Sequence, residues 1–163
     1  MMYIISVIAI AVLTALDQVT KHLAAAYLEN AEPFVIIKGV FELNFARNEG
    51  AAFSILQGTR WFLVGFTIIV FVFLIYFYIK LPKTRFEKLC RISLILVASG
   101  ALGNFICRLL WGNVIDFFYF RLINFPLFNV ADIFVVAGCF LLVFALIFEP
   151  SKETVEIENE SEL

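Results

Sequence analysis

Charged residues are absent from four long stretches of the chain: Met1 to Leu16, Trp61 to Ile79, Ile92 to Cys107 and Ile133 to Phe148. A helix that crosses a bilayer needs roughly 17–25 mostly apolar residues. One block reaches that length alone. The other three reach it only when a few polar residues at one end are taken in. The pattern predicts four transmembrane helices whose polar ends matter. Between them, Gly39 to Ala46 alternates partly between apolar and polar, as a half-buried strand does. Arg47-Asn-Glu-Gly50 reads as a turn. Gly112-Asn113 marks another turn, and Val114 to Phe120 is β-branched and aromatic, a second strand that Pro126 ends. The expected fold is an all-α membrane protein, four transmembrane helices with a small extracytoplasmic β-rich cradle. Residues 1–150 form the membrane domain, with outer segments at about 24–60 and 111–129. Residues 151–163 form an acidic, disordered cytoplasmic tail.

Composition supports a membrane protein. The 163 residues are 63% hydrophobic, with a mean hydropathy of +0.97, where a soluble domain sits near half apolar. The first block reads as a retained helix and not a signal peptide, because its first basic residue, Lys21, follows the apolar run. The connection between spans two and three carries Lys80, Lys83, Arg85, Lys88 and Arg91. Short basic loops lie on the cytoplasmic side, which places both termini there too. Cys90, Cys107 and Cys139 lack metal-binding or disulfide spacing and read as packing residues. A net charge of −2 without a basic stripe gives no support for nucleic-acid binding.

The polar residues missing from the spans gather at one membrane level. Asp17 and Lys21 end span one, Asn104 and Arg108 end span three, and Asn129 and Asp132 open span four. Asp116 lies in the outer segment between them. Each has a plain structural explanation. Asp17 and Lys21 form a favourable i, i+4 pair. Asn129 suits an N-cap with Asp132 at N3. Asp116 suits an exposed loop, and Asn48 and Gly50 suit a turn. Asn104 and Arg108 could bind carbonyls or a lipid phosphate, and Gly100 and Gly103 allow close helix packing. Ionisable groups at membrane depth are nonetheless costly and mark functional sites.

One histidine, His22, is too few for the usual zinc sites, and no HExxH is present. No G-x-S-x-G elbow supports a serine nucleophile, and little favours a Ser54–Lys21 pair. Two carboxylates remain. Held close, they share one proton, and together they can activate water and protonate a carbonyl. Asp116 and Asp132 are the candidates, with no metal or organic cofactor.

Five segments carry a family resemblance: Asp17-Gln-Val-Thr-Lys21, Arg47-Asn-Glu-Gly-Ala-Ala-Phe53, Gly100-Ala-Leu-Gly-Asn104 with Arg108, Val114-Ile-Asp-Phe117, and Phe128-Asn-Val-Ala-Asp132. In this order, at the ends of four spans, they resemble the lipoprotein signal peptidase (signal peptidase II) family. The resemblance implies catalytic aspartates at Asp116 and Asp132. It implies supporting or substrate-binding roles for Asp17, Lys21, Asn48, Gly50, Asn104, Arg108 and Asn129. It implies a diacylglyceryl-prolipoprotein substrate cut just before the lipidated cysteine, at the outer surface of a bacterial cytoplasmic membrane. Membrane lipid is the other expected partner, and the chain is expected to act as a monomer. Cys107 departs from the family, which usually has Asp before this arginine; the expected consequence is a lost polar neighbour of Arg108. The competing readings are an ion-coupled transporter or channel using the same polar cluster, and a membrane scaffold. Against the transporter, the chain lacks a repeated half and its charges sit away from the midplane.

Overall fold

The computed structural model describes residues 2–50, 58–81 and 86–148. Ala51 to Phe53, Ser54, Lys83, Arg85 and the acidic 151–163 tail lie outside the described residues. Four helices, α1 (Met2–Leu28), α2 (Arg60–Lys80), α3 (Glu87–Trp111) and α4 (Val130–Ile147), are long and apolar enough to cross a membrane. Each apolar block is the middle or larger part of a helix. α1 runs past its block through Asp17 and Lys21 to Leu28, and α3 runs past Cys107 to Trp111. Polar side chains can extend these helices because they are buried against one another, while apolar ones face outward. Ile4, Val7, Val136 and Phe140 are each more than 60% exposed, whereas Asp17 and Asn129 are 0% exposed. That inversion suits a lipid solvent, which leaves a polar group no partner but protein.

α3 is the hub. It packs against α1, α2 and α4, most extensively against α4. Glycine sets that closeness. A Cβ at Gly100 would stand 2.2 Å from the Ala131 carbonyl oxygen, and one at Gly138 2.7 Å from that of Ser93. Small residues at such crossings let helix backbones approach where lipid gives no hydrophobic drive.

At one end of the bundle lies an antiparallel sheet in the order β1 (Phe34–Ile37), β2 (Phe41–Asn48), β3 (Val114–Phe120). β3 matches the strand expected from sequence. β2 starts two residues later than Gly39 and continues through Arg47 and Asn48, which pair with Ile115 and Val114 instead of turning. β1 had no clear signal, because its four apolar residues are all exposed and show no alternation. A short 3-10 turn, Arg121–Ile123, leaves β3. The chain then folds back so that Phe128 pairs with Phe118 on the free edge of β3, with backbone hydrogen bonds of 2.9 and 3.1 Å. Phe41, Phe118, Phe120 and Phe125 surround this join, with ring centres 4.8–5.9 Å apart. The join matters for the site. It sets Asn129, one residue beyond Phe128, beside Asp116, two residues before Phe118.

Candidate active site

Asp116 stands on β3 and is 3% exposed. Its Oδ1 accepts from Asn129 Nδ2 at 2.6 Å and its Oδ2 from Asn48 Nδ2 at 2.9 Å. Asp132 stands in the first turn of α4. Its Oδ1 accepts from Asn104 Nδ2 at 2.8 Å and its Oδ2 from the Asn129 backbone N–H at 3.0 Å. The Asn129 Oδ1 in turn accepts from the Asp132 N–H at 3.1 Å, a complete capping box. The N-cap reading and the site reading of Asn129 therefore hold together: one amide caps α4 and reaches Asp116.

The orientation of all three amides follows from their neighbours. Asn104 Oδ1 faces Lys21 Nζ at 2.7 Å, and an ammonium can only donate. Asn129 Oδ1 faces the Asp132 N–H, and Asn48 Oδ1 faces the Gly50 N–H at 2.9 Å. Each oxygen is occupied by a group that can only donate, so each NH2 is turned toward a carboxylate. The Asp pair is thus held by neutral amides and one backbone N–H. Arg108 contributes charge without touching either aspartate by hydrogen bond. Its Nη2 donates to the Gly50 carbonyl at 2.9 Å, and its buried Nε has no partner.

Burial pushes the Asp116 carboxyl up from its usual range to about 6. The Asn48 donor resists that rise, the nearby Asp132 charge adds to it, and the Asn129 donor and Lys21 resist it. At the level of the whole site, Asp17, Asp116 and Asp132 face Lys21 and Arg108. The site thus brings three carboxyl groups and two basic groups together.

Asp17 and Lys21 sit behind this pair. Asp17 Oδ2 accepts from Lys21 Nζ at 2.8 Å and from Gln18 Nε2 at 3.0 Å, and Oδ1 accepts from the Ala131 N–H at 2.9 Å. Gly103 makes the space: a Cβ there would lie 2.3 Å from Asp17 Oδ2. Gln18, not singled out in the sequence, also donates to the Gly103 carbonyl at 3.0 Å and lies 3.6 Å from Cys107 Sγ. Its signal was its place beside Asp17 on an otherwise apolar span. Cys107 therefore faces Gln18 and α1, where a polar neighbour of Arg108 was expected.

The aspartates open on a cavity of about 1040 Å³. Its polar end carries Asn48, Asn104, Arg108, Asp116, Asn129 and Asp132. Its long walls are apolar side chains of α2, α3 and α4, from Leu63 to Val70 on α2 and from Ile133 to Phe140 on α4. Asp17, Lys21, Asn48, Gly50, Asn104, Arg108, Asp116, Asn129 and Asp132 thus meet at one end of the bundle.

Residues 8–148 match the family model described as signal peptidase (SPase) II. The chain belongs to the signal peptidase II family. It is 42% identical over 142 residues to the lipoprotein signal peptidase of Brevibacillus brevis, covering 87% of this chain and 94% of that one. It is 40% identical over 152 residues to the lipoprotein signal peptidase of Symbiobacterium thermophilum, covering 92% and 99%. A solved structure described as a bacterial membrane enzyme superposes with a TM-score of 0.79 at 35% identity, covering 87% of each chain. A second, also a bacterial membrane enzyme, gives 0.77 at 34%. The fold is thus that of a multi-pass bacterial membrane enzyme, and the family is a protease family.

Proposed function

We propose that this chain is a membrane aspartic endopeptidase that removes the signal peptide from diacylglyceryl-modified prolipoproteins, cutting just before the lipidated cysteine. The observation that carries this reading is the pair of carboxylates, each oxygen oriented by a forced donor, at the polar mouth of an apolar cavity between membrane helices. Such a cavity suits a substrate whose two ends differ: a peptide bond at the polar end, and acyl chains or an apolar signal helix along α2 and α4.

The chemistry needs one proton on the pair. Asp116, whose carboxyl is pushed up to about 6, holds it. Asp132 takes a proton from a water as that water attacks the scissile carbonyl carbon, and Asp116 gives its proton to the carbonyl oxygen. The resulting diol collapses, the C–N bond breaks, and a proton passes to the leaving amine. Arg108, with a buried Nε still to be satisfied, is placed to hold a substrate carbonyl near the cut. The basic connection between α2 and α3 puts that end of the bundle in the cytoplasm. The site at the other end then faces the outer surface, where lipid-modified precursors lie, and the protein works as a monomer. A transporter reading gains nothing from this geometry, since the ionisable groups close on each other at one end.

The test is cleavage by the purified protein in detergent, with diacylglyceryl-modified and unmodified prolipoprotein compared and a chelator control. A single cut before the cysteine, only in the modified precursor and unaffected by chelator, is the expected result. Equal cutting of both precursors would remove the lipid from the recognition model, and no cutting by folded protein would remove the peptidase.

A further inference from the structure

β2 and β3 do not keep one register. Leu43 faces Phe118 and Ala46 faces Asp116, so Asn44 and Phe45 stand opposite Phe117 alone, a β-bulge directly beside Asp116. The Phe45 N–H is met by Asn44 Oδ1 of its own strand, at 2.7 Å. The bulge divides the ladder in two. One half, 46–48 against 114–116, carries Asn48 and Asp116. The other, 41–43 against 118–120, carries the Phe118–Phe128 join that leads to Asn129. A slip of one residue in either half would turn its side chains to the opposite face.

An ion pair ties this second half together. Glu42 pairs with Tyr119 across the ladder, and Arg121 lies two residues beyond Tyr119, on the diagonal that a long side chain can span. Arg121 Nε stands 2.7 Å from Glu42 Oε1. The Leu122 N–H also reaches toward β2, but meets the Val40 carbonyl only at 3.4 Å, a weaker contact. Glu42 is 3% exposed, and its Oε2, buried as well, accepts no hydrogen bond among the described residues. A buried carboxylate with one oxygen left unmet costs stability, and an apolar strand residue would pack there without that cost. Buried ionic groups kept in spite of it are best attested where they choose a register.

We propose that Glu42 and Arg121 are positioning residues: their ion pair locks β2 against β3 beyond the bulge, and so holds the Asn48 and Asn129 amides on Asp116. Asn48 depends on the lock through the register of β2. Asn129 depends on it through the turn at Arg121–Ile123, which carries the chain from β3 back to Phe128. The consequence for rate rests on the peptidase reading, whereas the placement of the two amides does not.

The test uses the full chain in detergent, isotope-labelled at its aspartate carboxyls and titrated by NMR, with the Asp116 signal assigned by its loss in Asp116→Asn. Asn48 and Asn129 both favour the charged form of Asp116, so loosening either one moves its titration midpoint upward. Asp132, Lys21 and Arg108 also act on Asp116 by charge, and all three stay in place. Glu42→Val and Arg121→Gln break the pair from its two sides, so one remains should the other fail to fold. Each is expected to raise the midpoint by about half a pH unit or more. Each is also expected to lower kcat about tenfold, with KM held within about twofold, as misplacement of a site group does. Glu42→Val is expected to melt no lower than the parent chain, because it removes a half-satisfied buried acid. Arg121→Lys keeps the cation and is expected to leave the midpoint in place and the rate within about threefold. Should the parent chain cut no precursor, the peptidase reading falls and the Asp116 titration alone decides the lock. A midpoint unmoved in either folded variant, whether or not melting falls, would overturn the proposal.

Discussion

Two carboxylate clusters lie a few residues apart in this bundle and are built on opposite plans. Asp17 is enclosed. Its oxygens meet an ammonium, an amide and a backbone N–H, Gly103 walls it in, and it does not line the large cavity. Asp116 and Asp132 are also largely buried, but both border the large cavity and none of their hydrogen bonds comes from a cation. A buried acid in contact with its counter-ion has its oxygens committed within the protein. An acid pair met only by neutral donors beside a cavity is left open to a further partner. Asn104 joins the two plans: Lys21 fixes its oxygen, and its NH2 then faces Asp132. The enclosed pair thereby orients the open one.

The largest effect that separates them is on rate. Asp116→Asn and Asp132→Asn each keep the shape, but one of the two accepting oxygens becomes an NH2 that faces a donor, and the ionisable group that the proposed mechanism uses is lost. Cleavage is expected to fall about 10³-fold or more in each, with thermal melting in detergent changed little. A folded variant retaining a tenth of the rate would remove that aspartate from the chemistry.

Next comes stability at the enclosed cluster. Lys21→Met leaves Asp17 buried without its counter-charge, which costs about 3–5 kcal/mol. Adding Asp17→Asn removes the orphaned charge and is expected to recover much of that loss. Melting of the two single variants and the double variant measures the coupling. Additive losses would show that the two groups do not act as a pair.

Much of this contrast was legible in the chain, and what was not has a physical reason. Four charge-free blocks mark four helices because lipid-facing sides admit no charge. β3 was readable from Val114, Phe117 and Tyr119, since β-branched and aromatic residues suit a half-buried strand. Asn48 read as a turn former because a polar Arg47-Asn-Glu-Gly50 run resembles one locally. Its strand pairing with Val114 depends on a partner 66 residues away. β1 escaped because Phe34 to Ile37 lacks alternation. The convergence on Asp116 was suggested by position, but the rule that turns every amide toward an acid needs the identity of each neighbour. Gln18 shows the same gap: its donor reaches the backbone carbonyl of Gly103, 85 residues away on another helix.

A subtler effect lies in the pH dependence of the open pair. The proposed mechanism needs Asp116 protonated, so on that reading kcat/KM is expected to fall as pH rises through about 6. Asn48 donates to Asp116 and favours its charged form. Asn48→Ala removes that donor, so the proton is held to higher pH and the falling limb moves upward. A downward move would mean that Asn48 does not act on Asp116 in this way.

The smallest effect is expected at position 107, and it decides to which cluster that position belongs. Cys107 is 2% exposed, meets Gln18 through its sulfur and does not border the cavity. Those contacts assign it to the enclosed side. In Cys107→Asp, Gln18 can turn its NH2 to the new carboxylate, and Lys21 stands in the same cluster. The acid is buried between Gln18 and Asp17, and melting of the variant against the parent chain measures what burying it costs. Cleavage is expected to stay within about twofold, because general acid–base effects require contact with the reacting atoms. A large rate loss with unchanged melting would instead place position 107 in the open cluster, and the wall between the two carboxylate sites would have to be redrawn on the far side of Gln18.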